Sequence, residues 1–269
     1  MTLSRPTRLL LRVLTALILG VIYVPLALVV INSFNVNKTF AWPPRDLTLE
    51  WWKRAAESQG ALDALWVSVR VGIAATGIAL VLGTMIAFAL QRFSFYGRDA
   101  VSLLVILPIA LPGIVTGIAL NNAFRTILGL ELGFVTIVVA HATFCIVTVF
   151  NNVIARLRRT GVQLEQASAD LGASAFTTFR LITFPLLRSA LLAGALLAFA
   201  LSFDEIIVTT FTAGAQQQTL PIWIFNNLFR PNQAPIVNVI AAAMIVISII
   251  PVWLAQKLSG DAESLGAGR

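Results

Sequence analysis

Six long apolar runs dominate the chain, at roughly 9–32, 62–90, 99–120, 133–155, 188–211 and 236–257. Each is a continuous stretch of Leu, Ile, Val, Ala and Phe, and a helix that crosses a bilayer needs about 20 such residues. None alternates apolar with polar residues, as barrel strands do, so the pattern predicts membrane-spanning helices. The first run follows a basic front of Arg5, Arg8 and Arg12, as a signal peptide would. It exceeds the roughly 7–15 apolar residues of such a peptide, and no small-residue cleavage site follows it. It is therefore expected to remain as a membrane anchor.

The polar connections are informative in two places. In segment 33–61, Pro43-Pro44 breaks the chain. Thr48 can then cap a short helix over Leu49–Ser58 with Glu50 in its first turn. Trp51 and Trp52 suit a membrane–water interface, and the helix fits either an interfacial role or a docking role. The connection from Arg156 to Arg188 is too long to be a plain loop. Val162, Leu164, Ala167, Leu171 and Ala175 recur at helical steps, Gly172 interrupts them with a turn or a close backbone approach, and Pro185 marks entry to the next span. Within the third run, Pro108 and Pro112-Gly113 imply either a broken helix beside a pathway or a packing kink. Gly72, Gly77 and Gly83 predict close helix contact in the second run.

Composition agrees with a membrane chain. Of 269 residues, 58% are hydrophobic and only 12% charged, whereas a soluble domain carries about 25% charged residues. The hydrophobicity excludes a disordered chain, and the single cysteine, Cys145, excludes a disulfide scaffold. The formal charge of +7 would suggest nucleic acid in a soluble protein. Here it sorts by topology. With six spans, the side holding both termini carries Arg5, Arg8, Arg12, Arg92, Arg98, Arg156, Arg158, Arg159, Arg180, Arg188, Lys257 and Arg269. The opposite side carries Lys38, Arg45, Lys53, Arg54, Arg125 and Arg230, with Arg70 inside the second span. The excess places both termini in the cytoplasm. The expected organisation is an N-terminal span with an outer segment (1–61), a core membrane domain (62–257) and a cytoplasmic tail (258–269).

Candidate chemistry is sparse. Phe203, Asp204 and Glu205 interrupt the fifth span. Counted from Ser189, Asp204 lies about 22 Å along the helix, in the outer third of a hydrocarbon core ~30 Å thick. A carboxylate there should face a cavity or a partner. Adjacent helical positions are about 100° apart, so one acid, Asp204 in preference to Glu205, is expected to face a pathway and attract a cation. The alternative is a pair bonded to neighbours near the outer helix end. His141 and Cys145 share a face of the fourth span, but a metal site needs three or four ligands. A core histidine bonded within the bundle is the expectation, and no metal is expected. Asn121-Asn122, Asn151-Asn152 and Asn226-Asn227 are assigned no chemistry.

The 156–188 connection resembles the signature loop of ATP-binding-cassette importer permeases, whose pattern is Glu-Ala-Ala, three residues, Gly, nine residues, then Ile-x-Leu-Pro. Here Gln166-Ala167-Ser168, Gly172 and Ile182-Thr183-Phe184-Pro185 occupy those positions, and Asp170-Leu171-Gly172-Ala173-Ser174 resembles the usual centre. Gln166 stands in the glutamate position with Glu165 just before it; Ser168 replaces the second alanine and Phe184 the leucine. The resemblance implies an all-α integral membrane protein with the type I importer (MetI-like) permease fold. It implies that Glu165, Gln166, Ala167, Ser168, Asp170, Gly172, Ala173 and Pro185 belong to a cytoplasmic coupling element gripped by a cytosolic ATPase dimer, with small residues letting the helix seat closely. The chain has no phosphate-binding Gly-x-x-x-x-Gly-Lys-Ser/Thr loop, so ATP and Mg would be held by the partner and no cofactor by this chain.

Ser202-Phe203-Asp204-Glu205, Thr219-Leu220-Pro221-Ile222 and the Leu-Pro-x-x-Leu-Pro-Gly run at 107–113 resemble the polyamine (spermidine/putrescine) subgroup. That subgroup implies a second, related permease and an extracytoplasmic substrate-binding protein as partners in the bacterial inner membrane. Ferric iron, thiamine, sulfate or an opine remain as other substrates of similar permeases. An intramembrane enzyme would need a convergent catalytic set, which Asp204, Glu205 and one histidine do not form. A solo ion-coupled carrier would leave the cytoplasmic loop unexplained.

Overall fold

In the computed structural model the backbone of residues 4–38 and 42–264 is described, with side chains for all of these except 251–252 and 255–264. Arg269 and the side chain of Lys257, both counted in the charge balance, fall outside, as do the last five residues of the expected tail.

The described residues form twelve α-helices. They are α1 (Arg5–Asn32), α2 (Glu50–Ala56), α3 (Gln59–Arg92), α4 (Arg98–Ala110), α5 (Gly113–Asn122), α6 (Phe134–Thr160), α7 (Gln163–Asp170), α8 (Ala175–Thr178), α9 (Phe184–Phe203), α10 (Ile207–Thr212), α11 (Leu220–Asn227) and α12 (Ala234–Ser264). Single π-helical turns follow α5 at Ala123–Ile127 and precede α9 at Phe179–Thr183. Four helical stretches are long and apolar enough to cross a bilayer: α1, α3, α6 and the run from Ala175 to Phe203. The pair α4–α5, bent by 106°, makes a fifth if taken as one broken span. The sixth expected run lies in α12, whose apolar described part is Ala234–Ile250; this helix continues seven residues past the predicted end at 257.

Of the two readings of the third run, a broken helix and a packing kink, the break is the one found, and the continuity assumed for the fifth run is corrected. The third run is two helices, because Pro112 cannot donate to the ladder and Leu111 before it takes an extended conformation. The fifth run is also interrupted: α9 ends at Phe203 and α10 starts at Ile207.

The chain divides into two compact units, 63–223 with 248 onward, and 1–62 with 224–247. In the first, α6 is the central post, packed lengthwise on α9. Its core joins Ala75, Ala79 and Ala87 of α3, Val149, Val153 and Leu157 of α6, and Leu187 and Ala198 of α9. Alanines and glycines let these helices approach. A Cβ on Gly83 would lie 2.8 Å from the Ile146 carbonyl oxygen, and one on Gly72 2.9 Å from the Phe199 ring, whereas Gly77 faces open space and makes no such contact.

In the second unit, Asn35 bridges Leu47, and the Trp51 indole N–H donates to the Asn35 carbonyl at 2.9 Å. Trp51 is thus buried within the protein, while Trp52 stacks on Phe34. Helix α2 is shorter than predicted and starts one residue later. Thr48 still accepts the Glu50 N–H at 3.1 Å. No residue of α1 is buried, as suits an apolar helix surrounded by lipid.

Candidate coupling element and acidic break

The α6–α9 connection is a folded element. Gly161, with φ +64°, turns the chain out of α6, and α7 runs for eight residues. It stops at Gly172, whose φ of +79° is left-handed. The Gly172 N–H donates to the Ala169 carbonyl at 2.9 Å and the Ala173 N–H to the Ser168 carbonyl at 3.1 Å. This paired closure of a helix end favours glycine at its left-handed position. A Cβ there would meet nothing within 4 Å in this chain, so within the chain the glycine serves its backbone angle. Ser174 then caps α8 by accepting the Thr177 N–H.

Two sets of side-chain contacts fasten this element. Glu165 forms an ion pair with Arg92 at the end of α3, Nε to Oε2 at 2.9 Å, and its Oε1 accepts a second Arg92 N–H at 3.1 Å. The same Oε1 accepts the Thr183 hydroxyl at 3.0 Å, just before α9. Arg92 also donates to the Gly161 carbonyl at 2.9 Å. The pair is shielded, its side chains 11% and 24% exposed, which strengthens it over a surface pair. Ser168, in the position expected to help seat the helix, is buried and bonds Thr178 at 2.9 Å. Gln166, Ala167, Asp170, Leu164, Leu171 and Phe176 remain exposed, and Leu171 is 89% exposed. Ala173 is half-buried. Pro185 sits in the first turn of α9, directly after the π-helical turn at Phe179–Thr183.

The second assembly is the interruption of the fifth span. Asp204 caps α9, its N–H donating to the Ala200 carbonyl at 3.2 Å. Its side chain is exposed, and none of the described residues partners its carboxylate. Glu205 is half-buried and accepts the Val208 N–H at 2.9 Å, capping α10. The expectation that neighbouring helical positions must diverge therefore does not apply: neither acid lies within a helix, and they differ because one caps with its carboxylate and the other is unspent. Phe203 is buried and stacked on Phe199, with centroids 5.7 Å apart, so it lines no surface of this chain.

Short α10 is held from several sides. Asn121 donates to the Phe211 carbonyl at 2.5 Å, and Thr136 to the Thr212 carbonyl at 2.7 Å. Helix α5 packs along it, with Gly117 against Phe211. His141 is fully buried; its Nδ1 lies 2.7 Å from Ser202 Oγ and its Nε2 2.8 Å from Thr209 Oγ1. Cys145 donates to the Ala198 carbonyl. Sequence reasoning missed the Arg92–Glu165–Thr183 brace and the Asn121 cap. The basic end of the second span opposite an acid in the loop was the available signal for the first.

Residues 79–261 match the family described as the binding-protein-dependent transport system inner membrane component. Among curated relatives, the chain is 32% identical over 240 residues to the spermidine/putrescine transport system permease protein PotC of Escherichia coli K12, covering 89% of this chain and 90% of the relative. It is 30% identical over 252 residues to the putrescine transport system permease protein PotI of the same organism, covering 90% and 88%. Among solved structures, one chain of a bacterial ABC transporter that imports the acidic polysaccharide alginate superposes with a TM-score of 0.64 at 17% identity, covering 97% of this chain and 99% of that one. The broken third and fifth spans and the braced loop thus stand on a permease fold, and the chain belongs to the binding-protein-dependent transport system inner membrane component family.

Proposed function

We propose that this chain is one membrane-spanning subunit of an ATP-driven importer of polyamines, pairing with a second permease to form the pathway. The observation that carries the reading is the braced element at 163–185. Its outward surface offers Leu164, Ala167, Leu171 and Phe176, apolar or small side chains that a groove in a cytosolic ATPase can grip. Its inward side is bonded to Arg92 and Thr183, beside the ends of two spans. The chain is not itself an enzyme: ATP and Mg are bound and turned over by the ATPase dimer, and an extracytoplasmic binding protein delivers the substrate. Both termini face the cytoplasm.

Specificity for a polycation is supported by the relatives and by the unspent carboxylate of Asp204. An exposed acid at the end of a broken span attracts an amine through low-dielectric surroundings. Glu205 shapes that end of α10, and Phe203 supports it from within.

The test is co-expression with the neighbouring transport genes. The tagged chain should bring down an ATPase and support spermidine or putrescine uptake. Asp204→Asn should raise the KM of uptake by roughly tenfold, the loss of one charge-assisted contact, with assembly unchanged. Glu205→Gln, which retains an acceptor for the Val208 N–H, should cost less. Normal kinetics in Asp204→Asn would remove that residue from the pathway, and failure to capture an ATPase would refute the importer reading.

A further inference from the structure

His141 is the chain's single histidine, and its ring spans the acidic break. Ser202 lies in the last turn of α9, and Thr209 lies beyond the interruption in α10. A neutral imidazole has one donor and one acceptor nitrogen, and a hydroxyl has one proton to give. The Thr209 hydroxyl gives its proton to the Glu205 carbonyl at 2.9 Å, so toward the ring it can only accept. With that bond made, the consistent assignment puts the imidazole proton on Nε2 and leaves Nδ1 to accept from Ser202. The bonds run in one direction, Ser202 to His141 to Thr209, and end on the backbone of Glu205 inside the break.

We infer that His141, as the Nε2–H tautomer, is a positioning residue that fixes the Asp204–Glu205 turn by tying Ser202 to Thr209. It touches no substrate. Its effect is to set the angle between α9 and α10, and so the place at which the Asp204 carboxylate stands. A ring that merely satisfied itself within one helix would leave this end of the break without a direct side-chain tie between α9 and α10. The consequence for transport rests on the importer reading above; the tautomer and the tie do not.

Because one histidine is present, ¹⁵N-histidine labelling of the full chain, purified on a non-histidine tag and held in lipid nanodiscs, reports this ring alone. The expected spectrum has a protonated Nε2 and a bare Nδ1. Ser202→Ala should shift the Nδ1 signal, and Thr209→Val should release the proton from its confinement to Nε2. A proton on Nδ1 in the native chain, or a spectrum unaltered by both substitutions, would overturn the inference whatever the transported substrate is. In the assembled transporter, Thr209→Val should raise the KM for spermidine roughly fivefold to tenfold, as expected for loss of one buried hydrogen bond, and Thr209→Ser should restore it. An unchanged KM in Thr209→Val at normal membrane levels would reject the positioning role.

Discussion

Gly172 shows how much one backbone angle can decide. It stands at a left-handed φ of +79°, and within this chain the space around its missing Cβ is open. Substituents should therefore rank by their tolerance of that conformation, not by size. Asparagine, which enters the left-handed region readily, should retain most uptake. Alanine should destabilise the helix end by about 1 kcal/mol. Valine, β-branched, should uncouple, leaving ATP hydrolysis while uptake falls. The ratio of substrate transported to ATP hydrolysed, measured in proteoliposomes, checks the order; a ranking by volume alone would point instead to steric seating.

Between elements, the Arg92–Glu165 pair joins α3 to α7 across 73 positions of sequence. Removing either partner leaves a shielded charge unpaired at a cost of about 1–3 kcal/mol. Arg92→Ala or Glu165→Ala should cut uptake strongly while the ATPase still associates, and the exchange Arg92→Glu with Glu165→Arg should recover part of it. The readout is uptake beside ATPase co-purification. The glycine, the proline and the helical period of this loop could be read from sequence, because they are local backbone requirements. The brace was signalled only as a basic span end and an acid in the loop, since nothing local announces which distant basic residue an acid will meet. That the helix ends outright at Phe203 was hidden for a related reason. Ile206–Phe211 is as apolar as a continuing helix, and the contacts that hold the interruption, Glu205 capping the next turn and Asn121 and Thr136 at its far end, are not local in sequence pattern.

For the molecule as a whole, membrane character, helical class and most spans were legible because about 20 apolar residues have few other destinations. Counts at the edges were not, since prolines and capping acids divide runs that hydropathy joins. The basic residues assign the loops to sides, and this is testable. With Cys145 replaced by serine, single cysteines at Tyr96 or Leu171 should react with an impermeant thiol reagent only from the cytoplasmic face. Cysteines at Val36 or Leu49 should react only from the opposite face. Labelling of both pairs from one side would overturn the assigned orientation.

One carboxylate, that of Glu165, holds the tail of α3 and the lead-in to α9 together. On the proposed coupling role, a displacement of α7 reaches two membrane rods through that single group, so motion at this joint would resemble a seesaw plank and not a plunger, and softening either rod should blunt the stroke of both.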